Sequence, residues 1–411
     1  MNPVLNPALN PALNSESIPP PAGTNPPPTL RVVAIGGGTG LSTLLRGLKR
    51  YVAAPAASRR ATDSPDRLPS EAESASNPAS QPPSRTDRRA QPRAAHISDL
   101  PCLIRDLAAV VTVTDDGGSS GRLREDFKML PPGDVRNCMV ALSEDEHLLA
   151  KLFQYRFDQG DLEGHSFGNL FLAALSDITG DFAQAVRMSS QILATRGRIY
   201  PATNTNVTLT ARMDSGSLVR GETSITASPH RILELMLEPA DAEPLPGTLD
   251  AIANADLITL GPGSLYTSLI TNLLVRGIPE ALAASKATRV YVGNLMTQAN
   301  ESLGLSASEH IEKIMQHCGQ KGSAGRAQGS ALAHPRIFDY ALINTAPISP
   351  TLLGRYALEG QMPIEPDLDR IRALGVEPIP GNFAHEGDVL RHDPDRVTQV
   401  LLELALARPG H

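Results

Sequence analysis

The chain has 411 residues, a formal net charge of −7, no tryptophan and only 4% aromatic residues. This balance argues against a nucleic-acid-binding protein, and the Arg cluster within residues 52–98 is interpreted as part of a solvated linker. The three cysteines have neither zinc-ligand nor disulfide spacing, which is typical of the reducing cytoplasm. No apolar run is long enough to span a membrane, and the first residues lack a signal-peptide pattern.

Two segments have compositions that predict disorder. Residues 1–29 carry an Asn-Pro repeat and then a Pro-rich run, and residues 52–98 are rich in Ala, Ser, Pro and Arg. Such segments cannot bury enough apolar surface to offset the entropy lost on folding. We therefore expect a disordered tail and a disordered insertion, with the rest of 30–411, roughly 330 residues, forming the folded part.

The first predicted strand, Leu30–Ile35, runs into a glycine-rich loop, Gly36–Gly40, and then into an amphipathic helix, Leu41–Tyr51. Glycine lets the backbone approach an anion closely, and the first N–H groups of a helix point at it. The loop lacks the Lys of a P-loop and the spacing of the dinucleotide fingerprint, so a plain strand-to-helix turn is the alternative. The candidate phosphate ligands are Gly37, Gly38, Thr39 and Gly40.

A second buried strand, predicted over Val110–Thr114, ends in the acidic pair Asp115 and Asp116. In open α/β sheets, ligands bind at the carboxyl ends of strands. Two carboxylates there can hold Mg²⁺ or a sugar hydroxyl, and an exposed Asp-Gly turn is the alternative. The residues that follow can bind phosphate oxygens, and the candidates are Gly118, Ser119, Ser120 and Arg122.

Two polar turns precede helix-like segments in the middle of the chain. In the first turn Asp134 is a candidate N-cap, whereas Arg136 and Asn137 are not needed for a cap and are candidate ligand contacts. In the second turn His165 is a candidate acid, base or ligand contact, although a structural role is the more frequent one. Asn169 is likewise a candidate ligand contact, with a structural role as the alternative. The predicted helices here are Glu146–Phe157, Gly168–Asp177 and Phe182–Leu193.

Residues 199–245 include a stretch in which apolar and polar residues alternate with a period of two. Val207–Met213 and Ser217–Thr226, joined by a turn, are predicted to form an antiparallel hairpin. We expect a small β-rich subdomain inserted in the parallel sheet. Asn204, just before the hairpin, is a candidate hydrogen-bonding group for a sugar or a base.

A third glycine loop follows the predicted strand Asp256–Leu260 and precedes the predicted helix Ser264–Leu274. Gly261, Gly263 and Ser264 are candidate phosphate ligands, and Ser264 is also a candidate N-cap. Further predicted elements are the helix Pro279–Ser285 and the strands Arg289–Val292 and Tyr340–Ile343, and Asn294 is a candidate ligand contact at a strand end.

The alternation of strands and helices predicts a Rossmann-like α/β fold, with a parallel sheet, flanking helices and the inserted antiparallel hairpin. Three anion-type loops in one sheet favour a phosphorylated ligand lying across the strand ends.

The motifs resemble those of the gluconeogenesis factor (YvcK-like) family. They comprise the first and third glycine loops and the segments Val113–Arg124, Leu130–Asn137 and Gly164–Leu170. The resemblance extends from Arg31 to the C-terminus, apart from the insertion at 52–98. It implies a Rossmann-like fold shared with 2-phospho-L-lactate transferases. It also implies a cytoplasmic protein that binds a UDP-sugar such as UDP-N-acetylglucosamine and supports cell shape and wall-precursor supply during gluconeogenic growth.

Two functions stay open. A nucleotide-sugar-binding regulator is favoured, because no nucleophile or general base stands out. A transferase that uses Mg²⁺ and a nucleotide-activated substrate is the alternative, since the transferase relatives bind a divalent cation through Asp residues, which points to Asp115 or Asp116. The glycine spacing disfavours a nicotinamide-dependent dehydrogenase. A homo-oligomer and regulatory protein partners are further expectations.

Overall fold

The computed structural model describes residues 29–53, 103–144, 148–299, 301–319 and 336–407. The predicted tail, except Thr29, lies outside these ranges, and so does the predicted insertion except for its first two residues. Val52 forms a β-bridge with Ile104, so the described chain continues past the predicted start of the insertion. No helix among the described residues has the length and hydropathy that a membrane crossing needs.

The strands are introduced here in chain order. They are β1 (Leu30–Gly36), β2 (Ile104–Val111), β3 (Arg198–Pro201), β4 (Thr208–Met213), β5 (Leu218–Arg220), β6 (Ile232–Glu238), β7 (Leu257–Leu260), β8 (Thr288–Val292), β9 (Tyr340–Asn344), β10 (Glu377–Gly381), β11 (Ala384–Glu386) and β12 (Leu390–His392).

The helices are also introduced in chain order. They are α1 (Gly38–Lys49), α2 (Gly118–Phe127), α3 (Gly133–Leu142), α4 (Leu148–Gln154), α5 (Phe167–Thr179), α6 (Phe182–Ile192), α7 (Glu222–Ala227), α8 (Pro246–Ala253), a π-helical turn (Leu265–Ile270) that continues into α9 (Thr271–Leu273), α10 (Ile278–Ala284), α11 (Ala307–Gly319), α12 (Pro350–Leu358), α13 (Leu368–Ala373) and α14 (Pro394–Leu406).

A seven-stranded parallel sheet forms the centre of the fold, which confirms the predicted Rossmann-like class. Its strand order is β10-β9-β8-β7-β1-β2-β3, and every neighbouring pair is parallel. Its central strands are almost wholly buried apolar runs. Such runs are typical of a parallel sheet flanked by helices.

The order of the strands reverses beside β1. The chain builds β1, β2 and β3 outward in one direction and then returns to the other side of β1 to add β7, β8, β9 and β10. In open α/β sheets, the crevice at such a reversal is where ligands bind. The first loop (36–40) follows β1, the second loop (115–118) follows the end of β2, and the third loop (261–264) follows β7. The three anion-type loops therefore leave three adjacent strands at the same edge of the sheet.

The second strand differs from its prediction at both ends. It was predicted over Val110–Thr114, whereas β2 starts at Ile104 and ends at Val111. Its first half contains Arg105 and Asp106. These charged residues continue the polar composition of the predicted insertion, so the start of the strand could not be recognised from the sequence. After Val111 one further backbone hydrogen bond joins the two segments, from Thr112 N–H to the Gly36 carbonyl at 3.0 Å, and the strand then ends.

The inserted subdomain is a three-stranded antiparallel sheet in the order β5-β4-β6. The predicted return strand, Ser217–Thr226, is wrong beyond Arg220. Gly221, with a φ of 90°, ends the strand, and the chain turns into α7. The subdomain also starts later than the predicted residue 199, because β3 pairs in parallel with β2 in the main sheet.

Candidate functional site

A cleft of about 320 Å³ lies at the carboxyl ends of β1 and β7, where the strand order reverses. The first glycine loop lines it with Gly37, Gly38, Thr39 and Gly40. The third loop contributes Pro262, Gly263 and Ser264, and the remaining wall comes from the segment after β8, from the region of α12 and from β12. We call this space the diphosphate cleft, after the ligand group that its loops predict.

Two glycines of the first loop are required by geometry. Gly38 has a φ of 61°, a left-handed conformation that disfavours other residues. A β-carbon on Gly40 would lie 2.3 Å from the carbonyl oxygen of Pro262. The first and third loops are therefore in direct backbone contact. The first turn of α1, whose N–H groups have no partner within the helix, lines the cleft between them.

Side chains from distant parts of the sheet hold the third loop in place. Asn294 accepts a hydrogen bond from Gly263 N–H at 3.2 Å and donates one to the Gly263 carbonyl at 2.8 Å. Ser264 is not the side-chain cap that was predicted, because its hydroxyl accepts from Gln298 at 2.8 Å. Glu301 instead accepts from the N–H groups of Tyr266 and Thr267, at 2.9 and 2.8 Å. The candidates Asn294 and Ser264 thus shape the cleft.

The charge of the cleft wall comes from β12. Arg391 is the only Lys or Arg among the described residues that line the cleft, and none of the ion pairs described for this structure includes it. The neighbouring His392 donates to the Gly293 carbonyl at 3.0 Å, and burial lowers the pKa of His392 to about 4. His392 is therefore neutral at physiological pH, and Arg391 is the one positively charged side chain among the described residues of this wall.

Comparison with known proteins identifies the family. The profile described as "2-phospho-L-lactate transferase CofD" matches residues 32–384. The chain belongs to the CofD family. The gluconeogenesis factor of Halalkalibacterium halodurans is 41% identical over 374 residues, covering 90% of this chain and 95% of that protein. The gluconeogenesis factor of Bacillus subtilis is 43% identical over 301 residues, covering 73% and 90%.

A solved structure supports the same assignment. The crystal structure of a UPF0052-family protein from Bacillus halodurans matches this CofD-family chain with a TM-score of 0.74 at 40% identity. The match covers 91% of this chain and 99% of that one. The family that the sequence motifs indicate is therefore confirmed, and so is the fold.

Asp134 lies between the first and second loops of this CofD-family chain. It is not the predicted N-cap, since α3 is capped at Pro132 and Asp134 lies within its first turn. Its carboxylate interacts favourably with the backbone N–H of Gly38, and a β-carbon on Gly37 would lie 2.7 Å from its Oδ2 atom. Burial, with a contribution from Asp115, raises the pKa of Asp134 to about 6. A titratable carboxyl therefore borders the loop that would bind phosphate.

The two members of the acidic pair have different partners. Asp116 Oδ1 accepts from the N–H and the hydroxyl of Thr223, at 2.8 and 2.6 Å, and so caps α7. It fastens the inserted subdomain to the second loop. Asp115 accepts from Gly117 N–H at 2.9 Å and lies near Asp134 and Glu222.

Glu222 is a site residue that the sequence did not reveal. Thr114 donates a hydrogen bond to it at 3.2 Å. Burial and the neighbouring Asp115 carboxylate raise the pKa of Glu222 well above its usual range. The sequence placed Glu222 in a strand of the subdomain, and no local pattern connects it with the second loop. The fold therefore gathers Asp115, Asp134 and Glu222 beside the first glycine loop.

Asp115 and Asp116 are the candidate ligands of the predicted Mg²⁺ site. Within the described ranges, no group of three or more His, Cys, Asp or Glu side chains is arranged to hold a metal ion. Asp116 already accepts two hydrogen bonds, so Asp115 is the better placed of the pair. The residues therefore fit Mg²⁺ only if the ligand's phosphates supply most of the oxygens, which is a common way for proteins to bind this ion. Mg²⁺ binding stays a prediction.

Several other predicted ligands form a buried network behind the second loop. Ser119 accepts from the Asn169 amide at 3.1 Å and is 3.1 Å from Nδ1 of His165. Burial lowers the pKa of His165, which favours a neutral ring. Arg136 donates to Asn137 at 2.7 Å, and its Nε and the Asn169 Oδ1 have no hydrogen-bond partner within the described part of the chain. This network ties α2 to α5 and does not line the diphosphate cleft.

The remaining candidates are spread over the same edge of the sheet. Gly118 starts α2 with a φ of 47°, and Ser120 is buried beside Gly133. Arg122 donates to the Glu163 carbonyl at 2.8 Å. Asn204 donates to Asp181 at 2.8 Å and lines a separate cavity. Gly261 has a φ of 89° and packs against β8, so none of these residues lines the diphosphate cleft.

Ligand affinity should depend on the protonation of Asp134. A carboxylate repels a diphosphate at the first loop, so affinity for UDP-N-acetylglucosamine, the ligand that the family resemblance implies, should rise as the pH falls through about 6, where Asp134 gains its proton. We expect binding to be about tenfold tighter at pH 5 than at pH 8 by calorimetry. The diester phosphates of this ligand stay charged over that range.

The variant Asp134→Asn should bind tightly with little pH dependence, while the exposed-residue control Asp369→Asn should behave as the wild type. Wild-type affinity that is constant between pH 5 and 8 would contradict this role of Asp134.

Proposed function

We propose that the protein is a gluconeogenesis factor that binds a UDP-sugar of the UDP-N-acetylglucosamine type in the diphosphate cleft. In the cytoplasm it would support morphogenesis and wall-precursor supply under gluconeogenic growth. The observation that carries the proposal is the position of the cleft at the strand-order reversal, between two glycine loops in backbone contact. The relatives from Halalkalibacterium halodurans and Bacillus subtilis are named gluconeogenesis factors, which supports the gluconeogenic part of this role.

The wall of the cleft suits the two parts of such a ligand. The first turn of α1 and Arg391 provide donors and positive charge for a diphosphate. Neutral polar side chains, including Ser268 and Gln361, provide hydrogen-bonding groups for sugar hydroxyls. This combination favours an uncharged sugar attached to a charged diphosphate over a simple phosphate ion.

A binding role is favoured over chemistry by the lining of the cleft. Its described lining residues include no Cys, Asp, Glu or Lys, and its one His is neutral and donates to a backbone carbonyl. Occupancy would then act through a conformational change or a regulatory protein partner, by as much as the ligand's affinity differs between two states. The second loop and the subdomain fastened to it by Asp116 are the segments that could transmit it.

A transferase that uses Mg²⁺ and a nucleotide-activated substrate is the second candidate. The description of the family profile supports it, and so do Asp115, Asp134 and Glu222 beside the first loop. When bound, the cation would neutralise charge on the phosphates. Asp115 would hold it, while Asp134 could keep or release a proton at its carboxyl.

One experiment tests the proposal and separates the two candidates. The full chain is titrated with UDP-N-acetylglucosamine by calorimetry, with and without Mg²⁺, and with uridine as a control that lacks the diphosphate. The mixture is then incubated with phosphorylated three-carbon acids, and the nucleotides are quantified. Binding with full recovery of intact ligand supports the regulator. Sustained release of a uridine nucleotide, lost in Asp115→Asn, supports the transferase, and absence of binding refutes the proposed ligand.

A further inference from the structure

The first and third glycine loops differ in the backbone N–H groups that they leave free. In the first loop, Thr39 and Gly40 line the diphosphate cleft at the start of α1. Their N–H groups have no hydrogen-bond partner in the described part of the chain. Free N–H groups at the start of a helix attract an anion. The first loop therefore keeps the donors that a phosphate needs.

The third loop has used most of its donors within the protein. Gly261 N–H donates to a carbonyl of β1 at 3.0 Å, and Gly263 N–H donates to Asn294 at 3.2 Å. In the π-helical turn that follows, Ser268 N–H donates to the Ser264 carbonyl at 3.1 Å. A phosphate approaching this loop would find few unpaired backbone donors.

Glu301 occupies the donors at the start of that helical turn. Its Oε1 accepts from the N–H groups of Tyr266 and Thr267 at 2.9 and 2.8 Å. Burial raises the pKa of Glu301, while these two hydrogen bonds favour its charged form. No ion pair within the described ranges includes Glu301. A carboxylate of the protein itself therefore fills the position in which a helix N-terminus would bind an anion.

This carboxylate adjoins the polar side of the diphosphate cleft. Ser268 follows Thr267 directly and lines the cleft, and a β-carbon on Gly37 would lie 3.3 Å from its Oγ atom. Gln298, three residues before Glu301, lines the cleft as well. A negative charge behind this part of the wall repels a second anion and has little effect on an uncharged group.

We propose that Glu301 determines the charge of the group that this part of the wall accepts, so that an uncharged sugar is bound and a further phosphate is rejected. The inference rests on the proposed function, because the first loop must hold the diphosphate. Arg391 and the free N–H groups of the first loop serve two phosphates. A third phosphate beside Ser268 would face Glu301, and the described lining offers no second Lys or Arg to offset that repulsion.

The test compares two ligands that share a uridine diphosphate and differ in the group attached to it. Calorimetry without divalent cations measures UDP-N-acetylglucosamine and UTP on the wild type and on Glu301→Gln. Glutamine keeps an oxygen that accepts from Tyr266 and Thr267 but removes the charge. We expect the wild type to prefer UDP-N-acetylglucosamine, and Glu301→Gln to shift the ratio of the two affinities about tenfold towards UTP.

Glu280→Gln is the matched control, because it removes the same charge from an exposed position on α10. It should keep the wild-type ratio. A purely structural Glu301 would change both affinities by the same factor, so an unchanged ratio in Glu301→Gln overturns the inference and leaves the proposed function standing.

Tighter binding of UTP than of UDP-N-acetylglucosamine to the wild type also overturns the role of Glu301. This comparison needs no variant, so it remains decisive if Glu301→Gln does not fold. If UDP-N-acetylglucosamine does not bind the wild type at all, the proposed function fails and the inference fails with it.

Discussion

The variant Gly40→Ala should lose both ligand affinity and stability. Its new β-carbon would lie 2.3 Å from the oxygen and 2.7 Å from the carbon of the Pro262 carbonyl, and backbone atoms cannot rotate away. The first and third loops must therefore separate, which widens the diphosphate cleft. We expect the free energy of unfolding to fall by about 1–3 kcal/mol and UDP-N-acetylglucosamine to bind at least about tenfold more weakly. Denaturant titration and calorimetry measure the two effects.

Gly354→Ala is the matched control for this substitution. Gly354 lies in α12, and a β-carbon there meets no other atom within 4 Å. Alanine should stabilise this helix by up to about 1 kcal/mol and leave ligand affinity unchanged. If Gly40→Ala binds the ligand as tightly as Gly354→Ala does, the contact between the two loops does not shape the site.

The variant Arg391→Gln should lose most of the electrostatic contribution to binding. Arg391 is the only Lys or Arg among the described residues of the cleft wall, so its loss leaves the diphosphate without a cationic side chain there. A hydrogen bond to a charged group contributes about 1.5–3 kcal/mol, and we expect affinity to fall by about tenfold to a hundredfold. Calorimetry at several salt concentrations should also show a weaker salt dependence in the variant.

The control for Arg391→Gln is Arg187→Gln, which removes the same charge from an exposed position on α6. It should leave the affinity and its salt dependence unchanged. Equal affinities for the two variants would show that the phosphates do not approach β12, and the ligand would then have to lie nearer the second loop.

The features of the site that depend on local backbone conformation could be predicted from the sequence. Glycine at positions such as Gly38 is required by a backbone conformation that only the immediate loop imposes, so the pattern is visible without the fold. The alternation of apolar strands and amphipathic helices similarly predicted the parallel sheet and the loops at its edge. The pattern did not reveal the start of β2, because that half of the strand carries charged residues. It also extended the second hairpin strand to Thr226, whereas Gly221 ends the strand in the structure.

The fold class, the family and the glycine loops could therefore be predicted from the amino-acid sequence, because each depends on neighbouring residues. Which loops meet, and which side chains already have hydrogen-bond partners, became visible only in the folded chain. Asp116 is occupied by Thr223, which is 107 positions away along the chain. Arg391, from the C-terminal region, lines the same cleft as the first loop. Such contacts depend on strand order and packing, and no local pattern encodes them.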